Sequence, residues 1–261
     1  MNNNLDDDRN VKATAFVRLL DIMNDLREKC PWDMNQTNDS LRILTIEETY
    51  ELSDAILNKK NDDIKEEIGD LMLHMVFYAR IGEEQGVFNI ADALNSICEK
   101  LIKRHPHIYG SVQVKSEEDV KKNWEQIKLS EGKKSVLSGV PVGLPAMVKA
   151  YRMQEKTAQV GFEWKEKSDV WAKVEEEINE FKEVSDSGDT QRIEEEFGDI
   201  LFSLINYARY EGINPETALE RVNRKFKYRF EFIEENADQP LKDMSLEQMD
   251  ALWLKAKMVL D

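Results

Sequence analysis

The strongest constraint on the fold is that the chain repeats itself at a fixed distance. IEETYE at 46–51, followed by EEIGD at 66–70, returns as VEEEINE at 174–180, followed by EEFGD at 195–199, at an offset of 129 residues. Trp124 with Lys128 answers Trp253 with Lys257 at the same offset, and KLIKR at 100–104 answers KFKYR at 225–229. Two similar halves follow from this self-similarity. The breaker-rich stretch LSGVPVGLPA at 137–146 reads as their connection. The halves are therefore expected at 1–138 and 139–261.

Each half should be helical. Only 11 Gly and 6 Pro interrupt 261 residues, and apolar residues recur every three or four positions with almost no strand-like alternation. The spacing predicts helices near 10–28, 40–59, 62–85, 89–104, 116–130, 144–160, 168–186, 190–211, 215–236 and 245–259. Asn214 before Pro215 has the N-cap and first-turn preferences of a helix start, and Ser245 with Gln248 has the capping-box spacing. The fold class expected is all-α, with four-helix-bundle cores.

Composition narrows the function. The 52 acidic against 36 basic residues give a net charge of −16, which repels a nucleic-acid backbone, because polymer binding rests on phosphate neutralisation by Lys and Arg. Two cysteines, Cys30 and Cys98, match no metal-binding spacing and no disulfide framework. With three histidines in the chain, a bound metal should be hard and oxygen-ligated. The N-terminus carries no basic-then-apolar signal pattern, and no apolar run reaches the roughly 20 residues that span a bilayer. A soluble cytoplasmic protein with no membrane or nucleic-acid-polymer partner is expected.

The acidic knots carry the chemistry. Residues three or four apart share a helix face, so Glu177 and Glu180 project together, as do Glu196 and Asp199 on the next helix. The short loop SDSGDT at 185–190 can fold these helices antiparallel and gather the four carboxylates around Mg2+ or Mn2+. A Glu-rich face is usually just solvated. Pairing on consecutive helices, a glycine in each second knot (Gly69, Gly198) and apolar runs directly behind argue for more than that. Lys173, Arg192, Lys225 and Arg229 offer cations for phosphate, against the alternative of ordinary helix ion pairs worth a few tenths of a kcal/mol. Trp253 reads either as core or as a surface on which a base stacks.

These residues resemble the MazG family of nucleoside triphosphate pyrophosphohydrolases, in its tandem two-domain form. CPWDMNQT (30–37), IEETYEL, EEIGDLMLHMVFYAR, KRHPHIYG, NWEQIK, GLPAMVKA, VGFEW, VEEEINE and EEFGDILFSLINYAR occur in that family's order over nearly the whole chain. The resemblance implies the all-α fold of the dimeric dUTPase-like superfamily, Mg2+ dependence, and hydrolysis of an NTP or dNTP to its monophosphate and diphosphate. It puts the metal ligands on Glu177, Glu180, Glu196 and Asp199. Nucleotide contacts fall on Lys173, Glu176, Arg192, Glu195, the segment Lys225, Phe226, Lys227, Tyr228 and Arg229, and Trp253. Glu176 is the candidate to orient or deprotonate the attacking water.

The halves differ where it matters. The first keeps Glu48, Glu51, Glu67 and Asp70 as a second metal site but has Leu44 and Asp63 where the second has Lys173 and Arg192. Most activity is expected in the second half. His74, whose counterpart is Ser203, reads as a buried structural histidine rather than a ligand. Packing such helices into a bundle favours a homodimer, and a further protein partner is left open. Two other readings stand beside the enzyme: a non-catalytic Mg2+- or nucleotide-binding regulator, and a pyrophosphohydrolase of the same superfamily dedicated to one specialised nucleotide.

Overall fold

The computed structural model describes residues 3–116, 119–120, 123–124, 127 and 135–260. Among these, every regular element is helical. The chain divides into two compact units, Met1–Lys115 and Ser116–Asp261.

The first unit is built from α1 (Asn3–Lys29), α2 (Asn38–Leu57), α3 (Asn61–Glu84) and α4 (Ile90–Arg104). Helix α2 starts at a full capping box, with Thr37 and Ser40 each accepting from the other's backbone N–H, and α4 starts at a second one, Asn89 with Asp92. Between α2 and α3 the chain reverses in three residues, with Lys59 in the left-handed region (φ 56°). The hairpin lays α2 along α3, and α1 packs against α3. Met23, Leu41, Val76, Phe77 and Ile81 form the core, with Phe16, Leu19, Leu20, Leu44 and Leu73 closing around it. Full burial of each of the larger ones contributes about 1.5–3 kcal/mol. A 2.7 Å hydrogen bond between Thr45 and Tyr78 hydroxyls ties α2 to α3.

The second unit repeats the hairpin. Its helices are α5 (Ala146–Ala158), α6 (Lys167–Val184), α7 (Thr190–Tyr210), α8 (Pro215–Asn236) and α9 (Leu246–Leu260). Helix α6 pairs with α7, α5 packs on α7, and α8 pairs with α9. The α6–α7 reversal uses Gly188 at φ 77°, a backbone state that a side chain resists, and then Asp189, whose carboxylate caps the Arg192 amide. Val170, Val174, Val184, Ile205, Ile233 and Ala256 are buried.

The helices expected from periodicity agree with the structure to within two residues at nearly every edge in the described chain. Asn214 caps α8 through the Thr217 amide with Pro215 in its first turn, and Ser245 and Gln248 make their reciprocal pair. Helix α1 begins seven residues earlier than expected, because the acidic run at 6–8 suits a helix N-terminus although it lacks apolar period. Two proline-started turns, Pro31–Met34 and Pro106–Tyr109, add short helices that periodicity does not reveal. The helix expected at 116–130, with Lys128, lies largely outside the described residues.

Candidate active site

The site rests on α6 and α7 of the second unit. Burial of Val170 and Val174 fixes the rotation of α6, and the same helical phase turns Glu177 inward, where it is 7% exposed. Oxygen atoms of Glu177, Glu196 and Asp199 lie within 4.8 Å of one another. Lys173, one turn before Glu177, places its Nζ 2.7 Å from Glu177 Oε1 and 2.8 Å from Glu176 Oε1. The two carboxylates hold the lysine firmly protonated, well above its ordinary pKa.

Glu180 is exposed and stands outside the tight triad, yet desolvation, then the charges of Glu177 and Glu196, raise its carboxyl pKa. It therefore faces the same field. Three or four carboxylates this close repel unless a cation joins them, and all-oxygen donors suit a hard divalent ion. The residues present fit such a group. Glu176 lies just outside, half-exposed and paired with Lys173.

The remaining expected positions separate into two groups. Glu195 accepts a 2.9 Å hydrogen bond from Gln191, and Arg192 is exposed, its side chain making no ion pair among the described residues. On α8, Lys225 is exposed and Lys227 pairs with Glu231, while Tyr228 is 42% exposed. Phe226 lies 5.3 Å from Trp253 between ring centroids, and the Arg229 guanidinium lies 5.4 Å from that indole's centre. Trp253 is thus packed by two α8 side chains.

The first unit holds the echo. Oxygens of Glu48, Glu67 and Asp70 meet the same 4.8 Å condition. Burial, then Asp70 and Glu51, raise the Glu48 pKa, and burial, then Glu51 and Glu48, raise that of Glu67. Leu44, at the lysine's position, packs against the core instead. His74 is buried, desolvation lowers its pKa, and its Nδ1 has no hydrogen-bond partner.

Sequence reasoning missed a cavity of about 510 Å3 that opens beside the second triad. Lys173, Glu177 and Asp199 border it, and Met153, Gln154, Phe162, Trp164, Phe202 and Asn206 line the remainder. Five segments converge there, Leu137 adding one more, so no short motif announces it. The signal available was VGFEW at 160–164, two aromatics in a glycine-bearing loop just before α6.

The chain matches the MazG nucleotide pyrophosphohydrolase domain twice, over residues 36–109 and 166–234. Each match spans one of the acidic hairpins. The chain belongs to the MazG family. It is 44% identical over 250 residues to the nucleoside triphosphate pyrophosphohydrolase/pyrophosphatase MazG of Thermotoga maritima, covering 93% of this chain and 95% of that protein. It is 38% identical over 252 residues to the nucleoside triphosphate pyrophosphohydrolase of Escherichia coli, covering 92% and 96%. It is also 47% identical over 251 residues to the Bacillus subtilis protein YabN, of which it spans 51%. No helix among the described residues is long and apolar enough to cross a membrane.

Proposed function

We propose that this MazG protein hydrolyses nucleoside triphosphates, ribo- and deoxyribo-, to the monophosphate and diphosphate, with the second half, 139–261, carrying most of the activity. The observation that carries this reading is the juxtaposition of a three-carboxylate cluster, a lysine in contact with it and a base-sized cavity beside it. Glu177, Glu196 and Asp199, with Glu180 facing them, would hold Mg2+, Mn2+ being the nearest substitute. That ion, when bound, neutralises phosphate charge and eases deprotonation of water.

The chain's own groups do the rest. Lys173 and Arg192 meet the triphosphate oxygens, with Glu195, the segment Lys225–Arg229 and Trp253 as the other nucleotide-contacting positions. Glu176 accepts the proton of the attacking water, whose oxygen bonds to the α-phosphorus as the bond to the α–β bridging oxygen breaks. Diphosphate leaves with that oxygen. The first half, 1–138, keeps the acids without the two cations and is weak or inactive. A homodimer is supported by apolar side chains left in solvent on α7 and α8, among them Phe197 (51% exposed) and Phe226 (59%).

The test is a panel of NTPs and dNTPs with monophosphate and diphosphate measured together, with and without Mg2+. Equimolar appearance of both products, abolished by chelation, is the expected result. Orthophosphate as first product, or no turnover of any nucleotide, would refute the reading.

A further inference from the structure

We propose that the turn before α6 is held by a polar latch found only in the second unit, with Arg209 as its positioning residue: acting through Glu163, it sets the first turns of α6, and with them Lys173, for the reaction. The kinetic part of this rests on the pyrophosphohydrolase reading above.

The turn, residues 159–166, is not fixed by apolar burial. It contains no helical residue, and its large apolar side chains face solvent, Val160 at 51%, Phe162 at 81% and Trp164 at 46% exposed. Polar contacts from the end of α7 hold it instead. Arg209 pairs with Glu163, whose other oxygen accepts from the Trp164 amide at 3.2 Å. The Tyr210 hydroxyl donates to the Lys165 carbonyl at 3.0 Å. Glu211 Oε1 lies 2.7 Å from Lys167 Nζ. Three consecutive residues, 209 to 211, thus grip three alternate ones, 163, 165 and 167.

The ties are not equal. Lys167 and Glu211 are 56% and 29% exposed, so solvent screens that pair. Arg209 and Glu163 are 12% and 26% exposed, and the guanidinium is aimed by Asn206, whose Oδ1 accepts from Nε (3.3 Å) and a terminal nitrogen (2.9 Å). A planar group fixed on two sides is lost to a lysine, which has no such fork. The second tie on α6, Trp171 edge-on to Tyr207 at 4.9 Å, continues the grip one turn toward Lys173.

The repeat provides an internal control. The offset of 129 puts Met34, Asn38, Ile81 and Gly82 where Glu163, Lys167, Tyr210 and Glu211 stand. Ile81 is buried in the first unit's core, and a Cβ at Gly82 would lie 2.8 Å from the Phe88 ring, so no glutamate fits there. Arg80 stands in place of Arg209 but pairs with Glu83 and Glu84 of its own helix. The first unit holds its turn differently, through the short helix Pro31–Met34 and through Arg27, which donates to the Asp33 and Gln36 carbonyls. The latch therefore accompanies the half that keeps Lys173 and Arg192.

Loosening the turn lowers the fraction of molecules with α6 in place before substrate arrives. Apparent affinity falls by that fraction, while a bound complex reacts as before. KM should rise and kcat hold.

The test compares Arg209→Lys, Glu163→Ala and their double variant with the parent, by steady-state kinetics, by calorimetry with Mg2+ alone and by hydrogen exchange. Glu163 lies in the turn, so its variant keeps every helix contact. Each single variant is expected to raise KM for an NTP about 10-fold with kcat and Mg2+ affinity as in the parent, and to speed exchange of the amides at 160–168 by a similar factor. The double variant should be no worse than the worse single one, because the two residues act through each other. Arg80→Ala should leave KM unchanged. A raised KM with parent-like exchange at 160–168, an effect of Arg209→Lys that Glu163→Ala lacks, or faster exchange with parent-like KM would each overturn the latch and leave the pyrophosphohydrolase reading intact. No turnover in the parent would overturn both.

Discussion

Lys173 Nζ lies 2.7 Å from Glu177 Oε1 and also contacts Glu176, so one ammonium bridges a metal-ligand candidate and the candidate base. Without a divalent ion the lysine is the positive charge nearest that carboxylate. A divalent ion would compete for the glutamate oxygens, and the lysine is then released toward phosphate. Lys173→Ala should therefore raise KM for an NTP by about 10-fold or more. Mg2+ binding in the absence of nucleotide should hold or strengthen, because a competing cation is gone. Calorimetry with Mg2+ alone, beside steady-state kinetics, checks both halves of the expectation.

The two triads are chemically alike, and the difference lies in what borders them. Glu177→Gln should cost about 100-fold or more in kcat/KM, the several kcal/mol that a metal's charge contributes to the transition state. Glu48→Gln, at the equivalent position of the first unit, should leave turnover close to the parent's, since Leu44 offers no cation there. Parallel assays of the two variants decide it. A larger loss from Glu48→Gln would move catalysis to the first half.

The helices were readable because their apolar period and capping residues are local properties: Asn214 with Pro215, and Ser245 with Gln248, act within one turn. The carboxylate triad was half readable. Spacing places Glu177 with Glu180 and Glu196 with Asp199 on shared faces, but only packing decides that Glu180 stands back while Glu177 is buried. The cavity was unreadable by period, since Gln154, Phe162 and Asn206 come from three separate segments. Asn206 is one of two polar residues, with Ser203, in the otherwise apolar run ILFSLINYA. Comparing it with Phe77 at the same offset would have marked it, by the logic that singled out Lys173 against Leu44.

Raised carboxyl pKa values make the stability of the metal-free protein fall as pH rises. Glu48, Glu67 and Glu180 are each pushed up, first by desolvation and then by neighbouring carboxylates. An acid whose pKa is raised on folding stabilises the fold while protonated, and that stability is lost as pH rises through the raised value. A divalent ion removes the repulsion. The rise in melting temperature on adding Mg2+ should therefore be larger at pH 8 than at pH 5, read by scanning fluorimetry with chelator as the reference. An equal rise at both would show that the carboxylates are not what the ion binds.

Arg27 gives the opposite sign in the first unit. It donates to Glu84 from Nε and a terminal nitrogen, bonds the carbonyls of Asp33 and Gln36, and lies over the Phe77 ring at 5.5 Å. It thereby pins α1 to α3 and to the turn carrying CPWD, and it is itself only 12% exposed. Hydrogen bonding to Arg27 lowers the Glu84 pKa, so this stability is present above the unfolded value and is lost as pH falls through the depressed one. Glu84 is one-third exposed, and screening takes part of the pair's worth. Arg27→Ala should still cost about 2 kcal/mol, mostly from carbonyls and a carboxylate left without a donor. Urea unfolding at pH 7 and at pH 4 checks it: the deficit should shrink at the lower pH, whereas a deficit constant with pH would assign Arg27's contribution to its carbonyl hydrogen bonds and packing, with none from Glu84.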